Sequence, residues 1–143
     1  MIAFCTATSA ELPQVRALLE AAHLPTQGLE AHILNFILAL DSEQVVGCAG
    51  LEIHQDSGLL RSVVVAPGYQ GHGIGTKLTQ GILELAQHKK LTSLSLLTTT
   101  AQGFFTRFGF TPVERSELPQ SLWASAELQG ACPKTAVAMT LPL

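Results

Sequence analysis

Charge is scarce in this chain. Charged residues make up 13% of its 143 positions, with 8 Lys plus Arg against 11 Asp plus Glu and a formal net charge of −3. A nucleic acid is gripped by a basic face that displaces counterions along many phosphates, so it is excluded as the partner, whereas one small polyphosphate is not. Cysteine is scarce too: Cys5, Cys48 and Cys132 are odd in number and scattered. That argues against a disulfide framework and for a reducing, cytoplasmic setting. No apolar run reaches the ~20 residues that cross a bilayer; the longest lies around Ile33–Leu40. The N-terminus lacks the basic start and apolar core of a secretion signal, so neither membrane nor export is expected. The histidines, His23, His32, His54, His72 and His88, form no H-x-H or H-x-x-E-H spacing, and no metal is expected.

Apolar residues are plentiful, at 47%. At this length a domain buries roughly 68–70% of its extended surface, which is enough for a core without staples. No repeat, low-complexity tract or linker divides the sequence, so residues 1–143 read as a single domain. The apolar excess suggests a buried interface and a homodimer.

Periodicity orders the elements. Thr8 or Ser9 caps a first helix carrying Leu12, Val15, Leu18 and Leu19, which ends before Pro25. A short helix covers Leu29–His32. Ile33–Leu40 and Val45–His54, flanking a polar turn, predict a hairpin. Leu59–Ala66 is the next strand, and its unbroken Val63-Val64-Val65 predicts burial on both faces. A helix at Ile74–Gln87, a strand at Leu94–Thr98, a short helix at Ala101–Arg107 and a strand at Phe110–Val113 follow. A weak helix around Ser121–Leu128 and a strand at Ala136–Leu141 complete an α/β or α+β domain.

The sharpest local signal is Val65-Ala66-Pro67-Gly68-Tyr69-Gln70-Gly71-His72-Gly73-Ile74-Gly75-Thr76. A strand runs into a glycine-rich turn that opens onto an amphipathic helix. The N–H groups of a helix's first turn lack internal partners and sit at the positive end of its dipole, and glycines let a ligand come close. The segment therefore suits a phosphate or pyrophosphate. Thr76-Lys77 is in the wrong order for a P-loop, and the third glycine of a dinucleotide fingerprint is missing.

Gln70-Gly71-His72-Gly73-Ile74-Gly75, with Val65-Ala66-Pro67 before it, resembles the acetyl-CoA loop of the GCN5-related N-acetyltransferases. Thr98–Phe110 resembles the later N-x-x-A-x-x-F-Y-x-x-x-G-F segment of the same family. Within it, Leu24-Pro25-Thr26, Gly50-Leu51-Glu52, Leu59–Ser62, Leu97–Ala101 and Cys132–Ala136 are most similar to the small arsenic-resistance branch.

The resemblance implies a central, mixed, mostly antiparallel sheet with a split for the cofactor and helices on both faces. It also implies acetyl transfer from acetyl-CoA to the amine of a small molecule, in resistance or detoxification. A non-catalytic acetyl-CoA sensor and a peptide N-terminal acetylase are the alternatives. In this likeness Val63, Val64 and Val65 bond the pantetheine arm; Gln70, Gly71, His72, Gly73, Ile74, Gly75 and Thr76 hold the pyrophosphate; and Thr98, Phe104 and Phe105 complete the cofactor site. Phe105 stands where the family commonly has a tyrosine that protonates the leaving thiolate. Tyr69 reads as packing. Glu52, in an otherwise apolar strand, is the leading base, with Ser62 beside the reacting groups. Glu52, Arg61, Thr99 and Cys132 are the candidate acceptor contacts, Arg61 as a clamp for an acidic group. His54 reads as an exposed strand end, and Cys5 and Cys48 as small core residues.

Overall fold

The computed structural model describes residues 1–143, and their apolar periodicities resolve into seven strands and four helices. In chain order these are β1 (Ile2–Thr6), α1 (Leu12–Ala21), α2 (Leu29–His32), β2 (Phe36–Asp41), β3 (Gln44–His54), β4 (Ser57–Val65), α3 (Ile74–His88), β5 (Ser93–Thr98), α4 (Gln102–Thr106), β6 (Thr111–Val113) and β7 (Val137–Pro142). One sheet holds all seven strands in the order β1-β2-β3-β4-β5-β7-β6. Every neighbouring pair is antiparallel except β4 with β5. No helix is long and apolar enough to cross a membrane.

Helices cover both faces. On one, Ile74, Leu78, Ile82 and Ala86 of α3 recur at helical spacing and pack on Val46, Ala49, Leu60, Leu94 and Met139. Leu78 and Ile82 are wholly buried, each contributing about 1.5–3 kcal/mol by area. On the other face, Val15 and Leu19 of α1 and Leu29 of α2 pack on Phe36, Leu38, Val45 and Cys48. A third cluster joins Leu118, Leu122 and Leu128 to Leu59 and Ala138. It fastens the irregular stretch between β6 and β7 onto the sheet.

Four expectations are corrected. β1 carries no apolar alternation because it lies at the sheet edge with Phe4 and Cys5 exposed, so Cys5 is not a core residue. Ile33–Asn35 form a 3-10 turn and delay β2 to Phe36. The helix expected over Ser121–Leu128 is broken into turns at Gln120–Ala124 and Glu127–Ala131, the second closing at Gly130 with φ 117°. Val63–Val65 are only half-buried, because one side of β4 faces a cleft.

Candidate active site

β4 and β5 pair along three positions only, Ser57–Leu59 with Ser93–Ser95. Beyond them β5 continues against β7 as far as Thr98, while β4 turns away. The cause lies in β4. Arg61 pairs with Gly50 and Val64 with Cys48, so Ser62 and Val63 together oppose Ala49. This is a bulge, with Ser62 in the left-handed region at φ 61°, and a bulge bends its strand. The Cys48 thiol donates to the Ser62 carbonyl across 3.2 Å, and burial pushes that thiol up to about 12. Cys48 thus belongs to the scaffold of the bulge.

The divergence opens a cleft of about 700 Å³, within the ~300–1,000 Å³ typical of ligand sites. Its walls are Leu60–Val65 on one side and Leu96–Ala101 with Phe104 and Phe105 on the other. At its mouth lies the glycine turn. Gly71 and Gly73 take φ 84° and 80°, conformations open to glycine, and a methyl group on either would meet only open space. Gly73 caps α3 without any side-chain hydrogen bond to the first turn. The protein's own side chains therefore leave that positive helix end to an anion. The Gln70 amide donates to the Val65 carbonyl at 3.0 Å and ties the turn to the strand.

The closed end of the cleft is a charge cluster. Arg61 is wholly buried. Its Nε donates to Ser62 Oγ at 2.9 Å, its Nη1 to the Gln27 carbonyl at 2.8 Å and to Glu52 Oε2 at 2.9 Å, and its Nη2 to the Pro25 carbonyl at 3.1 Å. The second carboxylate, Glu127, stands with Oε2 at 3.4 Å from Arg61 Nε and lines the cleft. Burial raises the Glu127 carboxyl most; Arg61 pulls it back, Glu52 adds to the rise, and the balance is about 7. Cys132 lies beside Glu127 and is pushed up to about 12 by burial and then by that carboxylate, so it remains a thiol.

Glu52 sits behind Arg61, away from the cleft. It is 1% exposed, with Oε1 at 2.8 Å from His54 Nε2 and 3.6 Å from His32 Nε2. Burial works against its charge, but hydrogen bonds from His54, Ser125 and Arg61 and the proximity of His32 outweigh it and hold the carboxyl below its usual range. His54, expected at the surface, is drawn into this cluster.

Of the candidate cofactor residues, Val63, Val64, Val65, Gln70, Gly71, Gly73, Ile74, Gly75, Thr76, Thr98, Phe104 and Phe105 all line the cleft, as do the candidate catalytic Ser62 and, among the candidate acceptor contacts, Arg61, Thr99 and Cys132. Two do not. His72 points into a shallow depression with Ile2, Phe4 and Lys77, because the two glycines beside it turn its side chain outward. Glu52 is absent from the wall because both its oxygens are engaged behind it. Arg61 lines the wall, yet four of its five N–H groups are already directed at protein acceptors, which leaves little of it to clamp an acceptor. The Tyr69 hydroxyl donates to Asp41. No sequence motif marks Glu127: it lies in an irregular stretch, and its only signal is an acid between Ala126 and Leu128.

A family model described as an acetyltransferase (GNAT) domain matches residues 32–112, more than half of the chain. Among curated proteins, an amino-acid acetyltransferase of Mycobacterium tuberculosis is 39% identical over 72 residues, covering 50% of this chain and 41% of its own. Among solved structures, N-acetylglutamate synthase from Neisseria gonorrhoeae, complexed with coenzyme A and N-acetyl-glutamate, has a TM-score of 0.83 at 24% identity, covering 100% of this chain and 35% of its own. A Mycobacterium tuberculosis protein complexed with CoA has a TM-score of 0.80 at 22% identity, covering 99% of both chains. The chain thus spans less than half the length of that curated relative and about a third of the synthase.

Proposed function

Because the chain belongs to the GNAT acetyltransferase domain family, we propose that it moves the acetyl group of acetyl-CoA directly onto the amine nitrogen of a small molecule. One observation carries the reading: a strand edge without a partner, Leu60–Val65, runs from an uncapped helix end at Gly73 to a buried carboxylate at Glu127. The diphosphate lies on the amides of Gly71–Thr76 and the pantetheine arm along Val63–Val65. The thioester then reaches the bulge at Ser62, where backbone N–H groups polarise its carbonyl.

Glu127, rather than Glu52, takes the role of base. It lines the cleft and titrates near neutrality, as a base working at neutral pH requires. It takes a proton from the acceptor ammonium; the freed amine attacks the carbonyl carbon, a tetrahedral adduct forms, and the C–S bond breaks. The adduct nitrogen gives up its second proton to water as the departing thiolate takes one from water, so the two cancel and an amide and a thiol leave; Phe105 offers no proton and the Tyr69 hydroxyl is committed to Asp41. Cys132, held as a thiol, does not carry the acetyl group. The acceptor is an amine whose cation is met by Glu127. The short stretches shared with the arsenic-resistance branch support a resistance or detoxification setting.

The second reading is an acetyl-CoA-binding module without turnover, favoured by Phe105 in the tyrosine position. Acetyl-CoA consumption measured across a panel of small amines and amino acids separates the two. Thioester loss that depends on the amine establishes the enzyme; saturable cofactor binding without loss on any amine establishes the sensor.

A further inference from the structure

We propose that His32, Glu52 and His54 form a binding site for one divalent transition-metal ion, with zinc the best match, on the side of Arg61 remote from the cleft. This does not rest on the acetyl-transfer reading. Glu52 and His54 are two residues apart on β3 and so project from the same face, while His32, the last residue of α2, comes down over that face. Their ligand atoms all lie within 4.8 Å of one another. Glu52 Oε1 is 2.8 Å from His54 Nε2 and 3.6 Å from His32 Nε2. Tetrahedral zinc with bonds of ~2.0–2.2 Å separates its ligand atoms by roughly 3.3–3.6 Å. The two spacings from Glu52 bracket that value and the third lies within 4.8 Å, so side-chain adjustments of about an ångström admit the ion.

The carboxylate is already oriented for the task. Arg61 Nη1 holds Glu52 Oε2 at 2.9 Å and leaves Oε1 to face the two imidazoles. Arg61 is itself fixed by the carbonyls of Gln27 and Pro25. An outer shell of this kind, in which the ligating carboxylate is itself hydrogen-bonded, is what tunes protein metal sites. Access is one-sided: Glu52 is 1% exposed, and the His32 and His54 side chains are 20% and 14% exposed. An ion therefore enters past the imidazoles and keeps water in its fourth position.

Two imidazole nitrogens and one carboxylate oxygen select zinc, cobalt or nickel over calcium and magnesium, which require mostly oxygen. None of the three residues lines the cleft. The ion's role is to pin α2 to β3, and with it the Pro25–Gln27 segment that holds Arg61.

The test uses the full chain, freed of metal by a chelator and then titrated with zinc alone or cobalt(II) alone. The expected result is one ion per chain, a tetrahedral cobalt spectrum, and a Tm rise on the order of 5 °C at zinc 100-fold above its Kd, reversed by chelator. His54→Ala and His32→Ala lose the spectrum and the Tm rise, whereas His88→Gln, a change on the exposed end of α3, keeps both. Circular dichroism of the metal-free variants establishes that they fold, and the cobalt spectrum of the unaltered chain needs no variant. Absence of stoichiometric binding, an octahedral cobalt spectrum, or binding that persists in folded His54→Ala overturns the proposal.

Discussion

Arg61 and Glu127 meet at the closed end of the cleft, guanidinium Nε to carboxylate Oε2 at 3.4 Å, with side-chain exposures of 0% and 4%. The pair divides two tasks. Arg61 is enclosed by Ser62, Glu52 and two backbone carbonyls, while Glu127 keeps its approach to the cleft.

Glu127→Gln lowers kcat by about 10²–10⁴-fold, the usual contribution of a positioned base. In the unaltered protein the rate rises with pH through about 7, as the carboxyl ionises; in the variant that limb is gone. A kcat against pH profile checks both. If Glu127→Gln keeps full turnover, another group is the base.

The same residue sets a stability trend. Its carboxyl titrates near 7 when folded and near ~4.3 when unfolded. Between those values the folded state holds more protons, so stability falls as pH rises through that window. Chemical denaturation of the unaltered chain and Glu127→Gln at pH 5 and 8 shows this as a steeper loss in the unaltered chain. Equal slopes contradict the assignment.

Arg61→Met leaves buried Glu52 without its cation and costs about 3–5 kcal/mol, the range for breaking a buried pair from one side. Urea denaturation measures it. The double variant Glu52→Gln with Arg61→Met recovers part of the loss, because the stranded charge is removed with its partner.

Ser62 combines a left-handed φ of 61° with a hydroxyl that accepts from Arg61 at 2.9 Å. Ser62→Ala loses the hydrogen bond and keeps the strain; Ser62→Gly loses the bond and relieves the strain. Glycine here is therefore more stable than alanine by about 1 kcal/mol, as thermal denaturation of the two variants reads directly.

At the cleft mouth, Gly73→Ala forces a side chain into φ 80° at the start of α3. It lowers stability by about 1–2 kcal/mol and raises the KM for acetyl-CoA several-fold. Gly68→Ala, with ordinary φ, open space around it and no place in the cleft wall, changes neither.

The elements legible in the sequence are those whose signal is local. The stripe Ile74, Leu78, Ile82, Ala86 marks α3, and the glycines of 71–75 mark the turn, because their periodicity and backbone demands lie within a few residues. What stayed hidden depends on distant segments meeting. Glu127 reaches the cleft only because Leu118, Leu122 and Leu128 anchor an irregular stretch on Leu59. His32 joins Glu52 and His54 across two separate elements, so no histidine spacing announces the group. Arg61 reads as a clamp until the carbonyls of Pro25 and Gln27 arrive from another loop.

The parallel pairing of β4 with β5 is a spine only three rungs long. Gly58 at its centre leaves no room for a methyl, which would come within 2.8 Å of Leu91 and 3.0 Å of Leu51 and Leu94. The sheet is thus a pair of leaves, β1–β4 and β5–β7, bound tightly along one short edge and free to fan at the other. A ligand threaded between the leaves stitches the open margin shut. Its arrival slows amide hydrogen exchange in Leu60–Val65 and Leu96–Thr98 together, on both pages at once, while the bound edge at Ser57–Leu59 is already slow without it.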